Sequence, residues 1–112
     1  MYFHTIDIAH PPLTSGAAEE VLDDIVNQIR STQKWRVLKI IHGHGTQERP
    51  AVLKQVVLNW AYRNRSRLRV VIPGENYNIL DAATQEMRKE CGQVLDPDLG
   101  ISNTGMTLIW IK

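Results

Sequence analysis

The sequence has 112 residues, which suits one domain spanning 1–112, and 43% of them are hydrophobic, enough for a core. Thirteen basic residues against twelve acidic ones give a formal charge of +1, which excludes a protein that grips nucleic acid by overall charge alone. Cys91 is the sole cysteine, no stretch is long and apolar enough to span a membrane, and no secretory signal opens the sequence. We therefore expect a cytoplasmic protein without a membrane partner.

The first part of the chain alternates between strand and helix patterns. Residues 2–8 alternate as a strand. From Ala17 to Ile29 the apolar residues follow the 3.6-residue period of an amphipathic helix, and Thr14 or Ser15 is the candidate N-cap. Residues 35–41 are mostly apolar and predict a second strand.

The same alternation continues to the end of the chain. An apolar stripe over 52–60 predicts a second helix, and 67–72 predicts a third strand ended by Pro73. Residues 81–91 predict a short extra helix, and 106–111 a closing strand. Strands that alternate with helices need crossover connections, so the fold class is α/β: a mostly parallel or mixed sheet with both main helices on one face.

A strand leads directly into the loop His42-Gly43-His44-Gly45, which is followed by a helix. The two glycines permit positive φ angles, and a helix N-terminus attracts phosphate. The loop is neither a dinucleotide fingerprint, because Glu48 stands where a third glycine is needed, nor a P-loop. If the first two strands are neighbours, Asp7 and His10 converge with His42 and His44 at the carboxyl ends of the strands, where ligands usually bind.

Other candidate sites have weaker patterns. The histidines and Cys91 are too scattered for a structural zinc site, so no metal ligand is predicted, and Cys91 is better explained as a small buried hydrophobe. Four arginines follow the second helix. They indicate either a solvated helix end with a charge-protected edge strand, or a patch that contacts phosphate, and the sequence favours neither interpretation over the other. The four are Arg63, Arg65, Arg67 and Arg69.

Three segments together resemble one known family, the Smr (small MutS-related) domain. Ile6-Asp7-Ile8 resembles the start of its Leu-Asp-x-His motif. Residues 40–45 resemble its Ile-His-Gly-x-Gly signature, which is followed by the matching helix Leu53-Lys54-x-x-Val57-x-x-Trp60. Residues 104–111 resemble its closing, glycine-led strand. The resemblance covers nearly the whole chain.

The resemblance implies a fold similar to the C-terminal domain of translation initiation factor three, with a four-stranded mixed sheet in β-α-β-α-β-β order. The extra helix near 81–91 then lies in an apparent insertion over residues 75–100. The resemblance also implies binding to DNA or RNA and, in many members, endonuclease activity. Asp7, His42, Gly43 and Gly45 match the family's functional residues directly, and Lys54 matches its basic helix position. The family histidine two residues after the aspartate is replaced by Ala9, and His10 follows one residue late.

We therefore expect an endonuclease whose catalytic residues are Asp7, His10 and His42. Substrate phosphate would be held by Gly43, His44, Gly45 and Lys54, with further contacts from Arg63, Arg65 and Arg67. A divalent cation such as Mg²⁺ or Mn²⁺ and a metal-free route through an RNA 2′-hydroxyl both stay open. The alternatives are a non-catalytic module that binds nucleic acid or a ribonucleoprotein, and a protein-interaction domain. Membership of a longer multidomain protein also stays open.

Overall fold

A computed structural model describes residues 2–32, 34–45 and 52–112. Within these residues the helices and strands follow the predicted order: β1 (Phe3–Asp7), α1 (Ser15–Ser31), β2 (Val37–Ile41), α2 (Val52–Arg63), β3 (Leu68–Pro73), α3 (Ala82–Cys91) and β4 (Met106–Ile111). Short 3₁₀ turns follow α2 and β3, at Arg65–Arg67 and Gly74–Asn76.

The strands form one mixed sheet in the order β1-β2-β4-β3. β1 pairs parallel with β2, and β4 runs antiparallel to both β2 and β3. The ends of β1, β2 and β3 therefore meet the start of β4 at one edge, called here the carboxyl edge: Asp7, Ile41, Pro73 and Met106. The opposite end is called the amino edge: Phe3, Val37, Leu68 and Ile111. Along β1, which has five residues, four rises of about 3.3 Å separate Phe3 from Asp7 by about 13 Å.

Both faces of the sheet are covered. Buried residues of α1 and α2, such as Leu22, Val26 and Trp60, form one cluster with Leu38 and Ile109 of the sheet. A second cluster lies on the other face, between the sheet and the segment that contains α3: Val37, Tyr77, Met87, Leu108 and Trp110. The predicted mixed sheet, with both main helices on one face and a short third helix, is confirmed. No helix in the three described ranges is long and apolar enough to cross a membrane.

The limits of the elements follow from local chemistry. The Thr14 hydroxyl accepts a hydrogen bond from the Ala17 amide (3.2 Å) and caps α1. β1 ends at Asp7, one residue before the predicted end at Ile8. The Asp7 carboxylate accepts hydrogen bonds from the amides of Ala9 (2.8 Å) and His10 (3.1 Å), which turns the chain out of the strand.

Candidate functional site

Asp7 and His10 form a side-chain pair at the carboxyl edge. Because the chain turns at Asp7, His10 comes back over the carboxylate, and its Nδ1 lies 2.9 Å from Oδ2 and 3.1 Å from Oδ1. The one-residue displacement of the histidine is thus absorbed by the turn. The structure therefore brings into contact two of the four side chains that were expected to converge at this edge.

The pair leaves one imidazole nitrogen facing solvent. The pKa of Asp7 is lowered, first by the Ala9 amide and also by His10, so the group is a carboxylate at neutral pH. A carboxylate only accepts hydrogen bonds, so Nδ1 of His10 carries the proton, and Nε2 of the neutral ring is an acceptor. The His10 side chain is 70% exposed, which leaves Nε2 open to an incoming molecule.

The loop His42-Gly43-His44-Gly45 is fastened to the turn before β4. The amides of His42 and Gly43 both donate to the Gly105 carbonyl oxygen, at 2.9 and 3.0 Å. Gly43 and Gly45 have φ angles of +80° and +73°, which confirms the predicted left-handed conformation. The amides of His42 and Gly43 are therefore engaged within the protein and do not point at a phosphate. The prediction that Gly43, His44 and Gly45 bind substrate stays a prediction.

His42 is buried, with 3% of its surface exposed. Its Nδ1 donates to the Gly43 carbonyl oxygen (3.0 Å), because that oxygen only accepts. In the neutral ring, Nε2 accepts from the Thr107 hydroxyl (2.8 Å). Burial is the main cause that lowers the pKa of His42, and Lys54 and His44 lower it further. His42 is therefore neutral at pH 7, and both of its ring nitrogens are occupied.

Two further polar side chains flank His42. His44 is exposed, and its Nδ1 lies 2.7 Å from the Thr104 hydroxyl. Lys54, in the first turn of α2, pairs with Glu75 at 3.2 Å, and both side chains are partly exposed. A phosphate that reaches Lys54 would compete with Glu75 for its ammonium group. The carboxyl edge thus holds cationic and imidazole groups, although its lysine already has a partner.

The His-Gly loop lies next to the turn that carries Asp7 and His10, but the His42 side chain does not contact that pair. A Cβ on Gly43 would lie 3.4 Å from the Ala9 Cβ, so the two loops touch. Among the described residues, however, no hydrogen bond joins His42 to Asp7 or His10. Ile6 packs on the face of the sheet that α1 and α2 cover, so its neighbour Asp7 points to the other face. His42 contacts Thr107 on the face that α1 and α2 cover, so the two side chains lie on opposite faces.

The arginines after α2 lie at the amino edge, at the far end of the sheet from Asp7. Three of the four contact another polar group of the protein. Arg63 pairs with Glu19, Arg65 donates to the Tyr62 carbonyl oxygen (2.7 Å), and a weaker contact of 3.5 Å joins Arg67 to Asn27. Their predicted part in substrate binding stays a prediction, and it is geometrically separate from the Asp7–His10 pair.

The groups that hold this site together carry no local signal in the sequence. Gly105 and Thr107 lie in the closing segment used for the resemblance, yet nothing local marks them as partners of His42. Glu75 belongs to the segment treated as an insertion. Within residues 2–32, 34–45 and 52–112, no group of three or more His, Cys, Asp or Glu side chains could hold a metal ion.

Comparison with known proteins agrees with the resemblance. The family model described as the Smr domain matches residues 12–71, which is more than half of the chain and includes the His-Gly loop and α2. Asp7 and His10 lie outside that match. The crystal structure of the Smr domain of Thermus thermophilus MutS2 has a TM-score of 0.57 to this structure, over 100% of this chain and 99% of that one. At 16% sequence identity, this likeness shows a shared fold.

No curated protein matches the sequence. The family match and the structural likeness are thus the two findings that place the chain, and both point to the Smr domain. On this evidence, the chain belongs to the Smr domain family.

Proposed function

We propose that this domain binds nucleic acid and cleaves phosphodiester bonds with the Asp7–His10 pair. The observation that carries the proposal is the carboxylate–imidazole contact at 2.9 Å, made by an exposed histidine whose second nitrogen faces solvent. A histidine oriented by a carboxylate is a common general acid or base, and phosphodiester cleavage needs a base to generate the nucleophile.

In the proposed reaction, His10 Nε2 takes a proton from a water molecule or from an RNA 2′-hydroxyl. The oxygen then attacks phosphorus, the bond from phosphorus to the leaving oxygen breaks, and the leaving oxygen takes a proton from solvent water. The Asp7 carboxylate stabilises the imidazolium that forms and keeps Nδ1 as the protonated nitrogen. Lys54 and His44 lie on the neighbouring loop and helix and would meet the charge that develops on the phosphate.

His42 takes a positioning role in this proposal. Because both of its ring nitrogens are bound inside the protein, it has no free atom with which to contact a substrate. Its bonds instead hold the His-Gly loop to β4, and that loop touches Ala9 beside the pair. Loss of His42 would thus act through the placement of the turn that carries His10.

A second candidate is a nucleic-acid-binding module without catalysis. It is favoured by the separation of His42 from Asp7, since the imidazoles do not converge on one point. It is also favoured by the arginines at the amino edge, which could contact phosphate independently of Asp7. This candidate predicts binding that weakens steeply with salt and is not accompanied by cleavage.

The test compares cleavage by wild-type protein and by two variants, Asp7→Asn and His10→Gln. Supercoiled plasmid and a structured RNA are incubated with each protein, and products are resolved on gels. Asn keeps an oxygen that can accept the amides of Ala9 and His10, so the turn is retained while the charge is lost. We expect both variants to reduce the cleavage rate by about 100-fold or more, the usual contribution of general acid–base catalysis.

The matched control is Asp24→Asn, which removes an exposed carboxylate from α1. It should cleave at the wild-type rate. If wild type, Asp7→Asn and His10→Gln leave both substrates equally intact, or cleave them equally fast, the Asp7–His10 pair is not a catalytic site.

A further inference from the structure

The basic residues of this nearly neutral chain are concentrated at the amino edge. Eight of its 13 lysines and arginines lie in three segments that end or begin elements there, at 30–36, 63–69 and 111–112. These segments contain no aspartate or glutamate. Backbone hydrogen bonds from Ile111 to Arg36 (3.0 Å) and from Lys112 to Arg67 (3.1 Å) join them into one continuous surface.

An open groove of about 330 Å³ lies in this surface, beside the end of α1 and the start of β2. Its walls combine positive charge with apolar area, from Arg30, Arg36 and Lys112 on one hand and Ile29, Trp35 and Ile111 on the other. The volume falls in the range of small-molecule sites, about 300–1,000 Å³. Trp35 is partly exposed; its ring lies against His4 at a centroid distance of 4.5 Å, and the Lys34 ammonium lies 5.1 Å from the ring centroid.

The cations of the groove differ from the neighbouring arginines in their contacts. Arg63, Arg65 and Arg67 each contact a group of the protein. In the part of the chain that the structure describes, no side-chain hydrogen bond or ion pair engages Arg30, Arg36 or Lys112. An incoming anion could therefore bind these three side chains without breaking an ion pair with another of the described residues.

We propose that this groove binds single-stranded nucleic acid, with a base against Trp35 and the flanking phosphates on Arg30, Arg36 and Lys112. A partly exposed tryptophan next to cations suits an unpaired base and its backbone, since in a duplex both faces of each base are covered by its neighbours. The site lies at the amino edge, beside the start of β1, whereas the Asp7–His10 pair follows the end of that strand, and binding at the site does not depend on cleavage by the pair.

The experiment measures the binding of a fluorescein-labelled 12-nucleotide single strand, oligo(dT) or oligo(U), by anisotropy over a range of salt concentrations. The variant Arg30→Gln/Lys112→Gln changes two exposed side chains, so the fold is preserved. We expect about a tenfold or greater loss of affinity, and a salt slope reduced by about 1.4, which corresponds to two phosphate contacts on a single strand. The control Lys89→Gln removes one exposed positive charge from α3 and should bind within about twofold of wild type.

Tryptophan fluorescence gives an independent readout. Trp60 and Trp110 are buried, so quenching by the oligonucleotide would report on Trp35 and should disappear in Trp35→Phe. Wild-type affinity in Arg30→Gln/Lys112→Gln would overturn the proposal, and so would tighter binding to polyglutamate or to phosphatidylserine vesicles than to the oligonucleotide. Product gels report loss of cleavage in Asp7→Asn, and anisotropy reports loss of binding in Arg30→Gln/Lys112→Gln, so failure of one proposal is distinguishable from failure of the other.

Discussion

Two histidines at the carboxyl edge differ in what their ring nitrogens contact, and this difference decides what each can do. His10 binds Asp7 through one nitrogen and presents the other to solvent. His42 binds Gly43 and Thr107 and presents neither. The first can exchange a proton with a substrate, whereas the second is a structural group whose protonation would disturb the packing around it.

His42 should make the stability of the domain depend on pH. Its pKa is lower in the folded protein than in the unfolded chain, mainly because of burial. Between these two values the unfolded chain binds more protons, so the free energy of unfolding falls as the pH drops below about 6.5. Urea denaturation at pH 7.5 and pH 5.5 should show a larger loss for wild type than for His42→Gln. Equal losses in the two proteins would refute this assignment.

The residues of the candidate site were predictable to different degrees. The turn at Asp7 is local, so residues 7–12 hold the information that returns His10 to the carboxylate. The burial of His42 depends on Thr107, which is 65 residues away in the sequence. Both histidines could be predicted as site residues because each follows a strand. The sequence did not indicate that His42 is buried and His10 exposed.

At the scale of elements, the end of β3 and the turn before β4 lie unusually close together. A Cβ on Gly74 would lie 2.6 Å from the Met106 carbonyl oxygen and would also meet the backbone of Asn103. Backbone atoms cannot move aside as a flexible side chain can. The same turn contains Gly105, whose carbonyl oxygen accepts the hydrogen bonds of the His-Gly loop. The close packing of Gly74 against this turn therefore helps to fix the position of the loop.

We expect Gly74→Ala to lower the free energy of unfolding by about 1–3 kcal/mol, because the added methyl group forces the backbone apart. Gly16→Ala is the matched control, since nothing lies within 4 Å of its added Cβ in α1. That control should be neutral or more stable by up to about 1 kcal/mol. Urea denaturation measures the stability of both variants. Equal stabilities would show that a methyl group fits at position 74 without moving the backbone.

At the scale of the whole molecule, a buried ion pair ties the segment after α3 to the middle of the sheet. Lys39 of β2 is 3% exposed and lies 2.6 Å from Asp96, whose side chain is fully buried, and 2.9 Å from Asp98. The Tyr77 hydroxyl donates to Asp96 as well. Burial by itself would raise the pKa of Asp96, but the hydrogen bonds from Lys39, Tyr77 and the Asp98 amide hold it below the usual range.

The sequence indicates that Lys39 has a buried partner, but it does not indicate which residue that partner is. Lys39 interrupts an otherwise apolar strand, and a lysine at such a position needs a buried partner. Asp96 and Asp98 lie more than 50 residues away, in a segment that reads as a polar loop. Periodicity predicts strands and helices well because it is local, and it does not predict which loop residue reaches across the sheet.

Lys39→Met should lower the free energy of unfolding by about 3–5 kcal/mol, because it leaves the Asp96 carboxylate buried without a counter-charge. The double variant Lys39→Met/Asp96→Asn removes that charge and should recover part of the loss. Urea denaturation of wild type and both variants tests this. A double variant no more stable than Lys39→Met would show that the uncompensated charge is not the cause.

The contacts of the two histidines differ greatly in the length of chain that each closes. Asp7 and His10 are three residues apart, whereas His42 and Thr107 are separated by 65. Loop-closure entropy grows with the logarithm of that length, and the difference is on the order of 3 kcal/mol. When β4 detaches during partial unfolding, the long-range bond of His42 is lost, while the short turn can still hold His10 against Asp7. The Asp7–His10 pair is thus a self-contained turn that could be moved to another strand end together with residues 7–12.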